Sequence, residues 1–81
     1  MNKAELARRL AKENDITIKS AAGLVDSMLS IISAGIGEDG TVSLSGFGTF
    51  RKNSRKYNYS DSEVNSVSFS AGEKLRREMN G

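Results

Sequence analysis

A run of positively charged side chains dominates the second half of the sequence. Residues 51–59 read R-K-N-S-R-K-Y-N-Y, with four cations, two tyrosines and no carboxylate. Cations on an extended segment gain free energy from a line of phosphates by releasing counterions, and tyrosine adds hydrogen bonds. The candidate phosphate contacts are therefore Arg51, Lys52, Arg55, Lys56, Tyr57 and Tyr59. A solvated edge strand, in which lysines block edge pairing, explains the run equally well.

Most catalytic chemistry lacks its usual residues. The sequence has no Cys and no His, which excludes disulfides, thiolate nucleophiles, imidazole bases and the common zinc ligand sets. The acidic residues are scattered and form no short ligand motif, so a magnesium-dependent nuclease is the weakest hypothesis. We expect a protein that is not an enzyme and that uses no cofactor and no small-molecule substrate.

The size of the chain predicts one domain over residues 1–81. A chain of 81 residues hides only about 60% of its unfolded surface, so self-association would help it fold. Only five aromatic residues are available for a core. We count no apolar run near the roughly 18 residues of a membrane span and no signal-peptide stretch, so we expect a cytoplasmic protein without a membrane partner.

Two amphipathic helices are predicted in the first half. Asn2 and Glu5 resemble a capping box, and a stripe of Leu and Ala follows until Asn14-Asp15. Thr17 caps a longer helix whose apolar residues repeat at threes and fours through Ile32. We expect this second helix to end at Gly35 and Gly37, because glycine tolerates the left-handed conformation that closes many helices.

The second half predicts a sheet followed by a short helix. From Thr41 the period changes to two, with Val42 and Leu44 on one face. Gly46-Phe47-Gly48 suits a reversal into a second strand that carries the basic run. A turn over residues 60–63 leads to a third strand over residues 64–69, and Ser70-x-x-Glu73 resembles a capping box. The fold class is therefore α+β.

Four local patterns stand out along the chain, namely Met1-Asn2-Lys3-x-Glu5-Leu6, Ile16-Thr17-x-Lys19-x-Ala21-Ala22, Gly46-Phe47-Gly48-Thr49-Phe50 and Phe69-x-Ala71-Gly72-x-x-Leu75. Together they resemble the HU/integration host factor family of bacterial histone-like DNA-binding proteins. They span nearly the whole chain, and their combined spacing is far more specific than any one of them.

The resemblance implies an intertwined homodimer or heterodimer with two N-terminal helices, a three-stranded antiparallel sheet and a short C-terminal helix. A β-ribbon arm from each subunit would reach around double-stranded DNA. Phe47, Phe50 and Phe69 would lie in the shared dimer core. Lys3 and Arg76 match basic positions of the family, so the resemblance adds them to the DNA contacts, and it implies a nucleoid-associated protein.

The sequence departs from the family at the arm. Family arms carry a proline wedge at the tip, whereas this chain has no proline and only 18 residues between Phe50 and Phe69. Asn53 and Glu73 stand where the family is usually basic. The departure implies a shortened arm that contacts phosphates without kinking DNA by proline insertion.

Two function hypotheses follow from these observations. The first is sequence-tolerant binding of double-stranded DNA by a dimer, through a basic hairpin and the sheet. The alternative is a short-armed family member that works by protein contact or by pairing with a full-armed relative, with weak or no DNA binding.

Overall fold

The structure, a computed structural model, describes residues 1–56 and 63–81, and at residues 55, 56 and 63 it describes only the backbone. Over these residues the elements are α1 (Lys3–Asn14), α2 (Ile18–Asp39), β1 (Thr41–Leu44), β2 (Gly48–Lys56), β3 (Glu63–Ala71) and α3 (Glu73–Asn80). The strands form an antiparallel sheet in the order β1-β2-β3. The α+β prediction is confirmed. The predicted turn at residues 60–62 lies outside the described residues.

By its internal contacts the chain divides into two compact units, Met1–Ser33 and Ala34–Gly81. We call them the helical unit and the sheet unit. The boundary falls within α2, so this helix contributes to both. One domain over residues 1–81 stays a prediction.

The helical unit is held by small side chains. The Asn2 side chain accepts a hydrogen bond from the Glu5 N–H at 2.9 Å, which confirms the predicted start of α1. The Glu5 side chain bonds Arg9 instead of closing a capping box. The core consists of residues from both helices, namely Ala7, Ala11, Ala21 and Val25. Small residues let two helices approach closely, and Leu6, Leu10, Ile16 and Ala22 cover the margin of this core.

The predicted end of α2 is wrong by several residues. The helix continues through Gly35 and Gly37 to Asp39, and Gly40 then takes the left-handed conformation with φ +80°. A Cβ atom at Gly35 would lie 2.9 Å from Cγ2 of Val42. Gly35 therefore permits the close approach of β1 and does not end the helix.

With this length, α2 is long and apolar enough to cross a membrane by length and composition alone. The sequence analysis counted no such run. Length and composition alone are weak evidence for a membrane span, and in this structure α2 packs Ala21 and Val25 into one cluster with Ala7 and Ala11.

The sheet unit begins with the predicted reversal. Gly46 has φ +81°, and the Phe47 N–H donates to the Leu44 carbonyl at 2.9 Å. The predicted cap of α3 is wrong, because Ser70 lies within β3 and pairs with Thr49. Gly72 occupies the N-cap, where its own N–H donates to the Phe47 carbonyl at 2.7 Å. Pairing with β2 also places Glu63 in β3 instead of in the turn.

Candidate nucleic-acid interface

The register of the sheet separates the basic run onto two faces. Successive residues of a strand point to opposite sides of a sheet, and directly paired residues share a side. Arg51 pairs with Thr41 and Ser68, whereas Lys52 pairs with Val67. The run is therefore not one row of cations, since neighbours in the sequence lie on opposite sides.

The face that holds Arg51 is polar throughout the described register from Thr41 to Asn53. We call it the polar sheet face, and its residues are Thr41, Ser43, Thr49, Arg51, Asn53, Ser66, Ser68 and Ser70. The hydroxyls of Ser43 and Thr49 lie 3.2 Å apart, and Asn53 Nδ2 donates to Ser68 Oγ at 3.1 Å. Among these eight residues there is one cation and no carboxylate. The face presents hydrogen-bond donors to an anion without presenting a repelling charge.

The opposite face is apolar near the body of the sheet unit. We call it the aromatic sheet face, with Val42, Leu44, Phe50, Lys52, Val67 and Phe69. The ring centroids of Phe50 and Phe69 lie 4.8 Å apart, and those of Phe47 and Phe69 lie 5.4 Å apart. Phe47 and Phe69 remain 46% and 43% exposed in the single chain. The three phenylalanines thus lie together, and their place in a shared dimer core stays a prediction.

Lys52 is directed to the end of α2. Its Nζ donates to the Gly37 carbonyl at 3.2 Å, and its backbone N–H donates to the Gly40 carbonyl at 2.8 Å. The structure thus places this candidate contact on the aromatic sheet face, apart from Arg51.

The remaining candidates of the basic run are described less fully. In the backbone register Arg55 pairs with Val64 and Lys56 pairs with Glu63. Tyr57 and Tyr59 lie outside the described residues, so their predicted contacts stay predictions.

The two candidates outside the run lie in different units. In the helical unit, Lys3 Nζ lies 2.9 Å from a carboxylate oxygen of Asp26, so its charge is already paired. In the sheet unit, Arg76 is exposed on α3, next to the Glu73–Arg77 ion pair at 2.7 Å. These distances do not test whether Lys3 or Arg76 contacts DNA, so both contacts stay predictions.

The sequence analysis missed the hydroxyl side chains of β3. Ser66, Ser68 and Ser70 alternate with Val67 and Phe69, which is the period of a half-buried strand. That alternation is present in the sequence, but serine carries no charge, so a pattern of cations does not indicate it.

An apolar groove opens in the helical unit. Its volume is about 330 Å³, and its lining is Leu6, Leu10, Leu24, Val25 and Met28. Leu24 and Met28 are 55% and 51% exposed, and Ile31 on the same helix is 69% exposed. Exposed apolar patches of this kind are typical of surfaces that bind another protein, a ligand or a membrane.

A match to a family model shows which protein family the chain belongs to. The model described as bacterial DNA-binding protein matches residues 1–61. The chain belongs to the HU family of bacterial DNA-binding proteins. The family resemblance inferred from the four sequence patterns is confirmed.

Individual HU proteins show the same relationship. A curated relative, DNA-binding protein HU-beta 2 of Neisseria meningitidis, is 36% identical over 50 residues, which are 62% of this chain and 55% of that protein. The match thus spans about half the length of that relative.

Solved HU structures match over almost the full chain. A cocrystal structure of Anabaena HU with DNA has a TM-score of 0.82 at 27% identity and covers 98% of this chain and 97% of that one. A mutant HU from Thermotoga maritima has a TM-score of 0.78 at 26% identity, covering 98% and 99%. The HU-like fold is therefore confirmed.

Proposed function

We propose that this HU-family chain binds double-stranded DNA without sequence specificity, as a dimeric, histone-like, nucleoid-associated protein. The observation that carries the proposal is the polar sheet face, where hydroxyls, an amide and the Arg51 guanidinium share one side of the sheet without a carboxylate. The proposal includes a cytoplasmic location and an architectural rather than an enzymatic role.

The chemistry of this face suits the DNA backbone. Ser, Thr and Asn donate hydrogen bonds to phosphate oxygens, and Arg adds a charge-assisted, two-pronged bond. Such contacts fix a protein on the duplex but carry no sequence information. The short side chains of Ser43, Ser66 and Ser68 supply donors without the long reach of the side chains that usually read base edges.

A second copy of the chain is the proposed partner at the apolar groove. The exposed side chains of Leu24, Met28 and Ile31 are withdrawn from water when a second chain covers them, which stabilises the pair by about 25 cal/mol per Å² of apolar area. A chain of 81 residues gains much from such burial, because its own core consists of Ala7, Ala11, Ala21 and Val25. Dimerisation also fits the aromatic cluster, in which Phe47 and Phe69 stay nearly half-exposed in one chain.

A salt titration tests the proposal. A duplex of arbitrary sequence, a second unrelated duplex and a pre-bent duplex are each titrated with the protein at several salt concentrations. We expect the same affinity for both linear sequences, and log affinity falling linearly with log salt by about 0.9 per phosphate contacted. Absence of binding at low salt, or a strong preference for one sequence, contradicts the proposal.

The modest charge of the polar sheet face favours one alternative. Arg51 is the single cation among its eight residues, and the next register position on the same side is Arg55, so a homodimer gains less from counterion release there than it would from a row of four cations. In this alternative the chain pairs with a full-armed HU-family relative and contributes mainly protein contacts. Mixing the two proteins and finding mixed dimers that bind DNA, while this chain alone does not, would support it.

A further inference from the structure

We infer that Lys52 is a positioning residue, which fixes the base of β2 to the end of α2 and leaves phosphate contact in this part of the strand to Arg51. The part that concerns phosphate rests on the proposed function. The part that concerns the helix end does not, and it is tested without DNA.

The first argument is the side of the sheet on which Lys52 lies. Lys52 follows Phe50 by two residues and pairs with Val67, so it belongs to the aromatic sheet face. That face carries Val42, Phe50 and Phe69 and is the apolar side of the sheet. Arg51 lies among hydroxyls on the other side, which is the side suited to phosphate.

The second argument is the electrostatics of the helix end. The last carbonyls of a helix lack partners within it and carry partial negative charge, which cations stabilise. The last turn of α2 contains no basic residue and ends in Glu38-Asp39, two charges that add to the negative potential. Lys52 supplies from β2 the positive charge that the last turn of α2 lacks, with Nζ 3.2 Å from the Gly37 carbonyl oxygen.

The third argument is that the contact is double. The Lys52 backbone N–H donates to the carbonyl of Gly40, the residue after α2, at 2.8 Å. The side chain of the same residue donates to Gly37 within the last turn of α2. Thr41, which follows Gly40, pairs directly with Arg51. The clamp therefore holds the strand segment that presents Arg51.

The experiment compares Lys52→Met with Arg51→Met. Each variant removes one positive charge from adjacent exposed positions, so net charge is matched. We expect Arg51→Met to lower the slope of log affinity against log salt by about 0.9 for each phosphate that Arg51 binds, with an unchanged denaturation midpoint. We expect Lys52→Met to leave that slope unchanged and to lower the midpoint. Lys52→Arg should restore the midpoint, since a guanidinium also donates to a carbonyl.

A measurement without DNA separates the clamp from a general loss of stability. The ¹³C chemical shift of the Gly37 carbonyl reports its hydrogen bond, so it should move in Lys52→Met, stay nearer the wild-type value in Lys52→Arg and not move in Arg51→Met. An unmoved Gly37 shift in Lys52→Met overturns the inference, as does an equal loss of salt slope in both Met variants. If the wild-type protein binds no DNA, the proposed function fails, and the Gly37 shift still decides the clamp.

Discussion

The ring of Phe69 lies directly against the backbone of Gly48. A Cβ atom at Gly48 would lie 2.5 Å from Phe69 Cζ and 2.5 Å from the Ser70 carbonyl oxygen. Gly48 is buried, and its φ is not in the left-handed region, so space alone requires glycine here. The missing side chain lets the Phe69 ring reach both Phe47 and Phe50.

Gly48→Ala should therefore destabilise the fold strongly. The added methyl group meets an aromatic ring and a backbone oxygen, and the backbone oxygen moves only with its strand. Overpacking of this kind costs about 1–3 kcal/mol. Urea denaturation should show that loss in the free energy of unfolding. A loss below about 0.5 kcal/mol, the range of ordinary surface substitutions, would contradict the close approach.

The two glycines inside α2 give a matched pair. A Cβ atom at Gly37 meets nothing within 4 Å, whereas one at Gly35 would lie 2.9 Å from Val42 Cγ2. Alanine in a helix interior is favoured over glycine by about 0.5–1 kcal/mol. Gly37→Ala should raise the free energy of unfolding by about that amount, and Gly35→Ala should lower it or leave it unchanged.

A double variant checks the cause. Gly35→Ala combined with Val42→Ala removes the contacted methyl group. The two substitutions should then cost less together than the sum of their separate effects, as expected for residues in contact. Strict additivity would mean that Val42 is not what the new methyl group meets.

These glycines also show where sequence reasoning is limited. Gly35 and Gly37 predicted a helix end because glycine tolerates the left-handed conformation, but the close approach of Val42 to Gly35 is a tertiary constraint that no local pattern reveals. Ser70-x-x-Glu73 failed for a similar reason, since strand pairing with Thr49 outweighed the cap. Local propensity placed the elements correctly, and long-range contacts moved their ends.

The sequence predicts which residues belong to the candidate site, but only in part how they are arranged on the sheet. The four cations were identified from the sequence, yet treating them as one row ignored the period of two that a strand imposes. Applied to β2, that period separates Arg51 from Lys52 without a structure. The bond from Lys52 to Gly37 was not predictable, because it depends on α2 extending beyond its expected end.

Disruption of the apolar groove should weaken the proposed dimer. Met28→Lys places a charge among Leu6, Leu10 and Leu24, which line the groove. A charge that a partner would bury unpaired costs several kcal/mol, so the dimer should dissociate at concentrations where the wild type stays paired. Sedimentation equilibrium measures this. Ser30→Lys, at an exposed position of the same helix that does not line the groove, is the control and should stay dimeric.

Removal of the carboxylate at Asp26 should strengthen DNA binding. Lys3 Nζ lies 2.9 Å from Asp26, and both side chains are largely exposed, at 64% and 60%. Exposed pairs contribute about 0–1 kcal/mol to stability, so Asp26→Asn should leave the free energy of unfolding almost unchanged. The released ammonium of Lys3 becomes available to phosphate, and a gel-shift titration at low salt should show a lower Kd.

The control for this prediction is Glu5→Gln, which breaks the Arg9–Glu5 pair at 3.2 Å and removes the same charge. Arg9 is not a proposed DNA contact. Equal gains in both variants would mean that net charge alone raises affinity and that Lys3 makes no phosphate contact of its own.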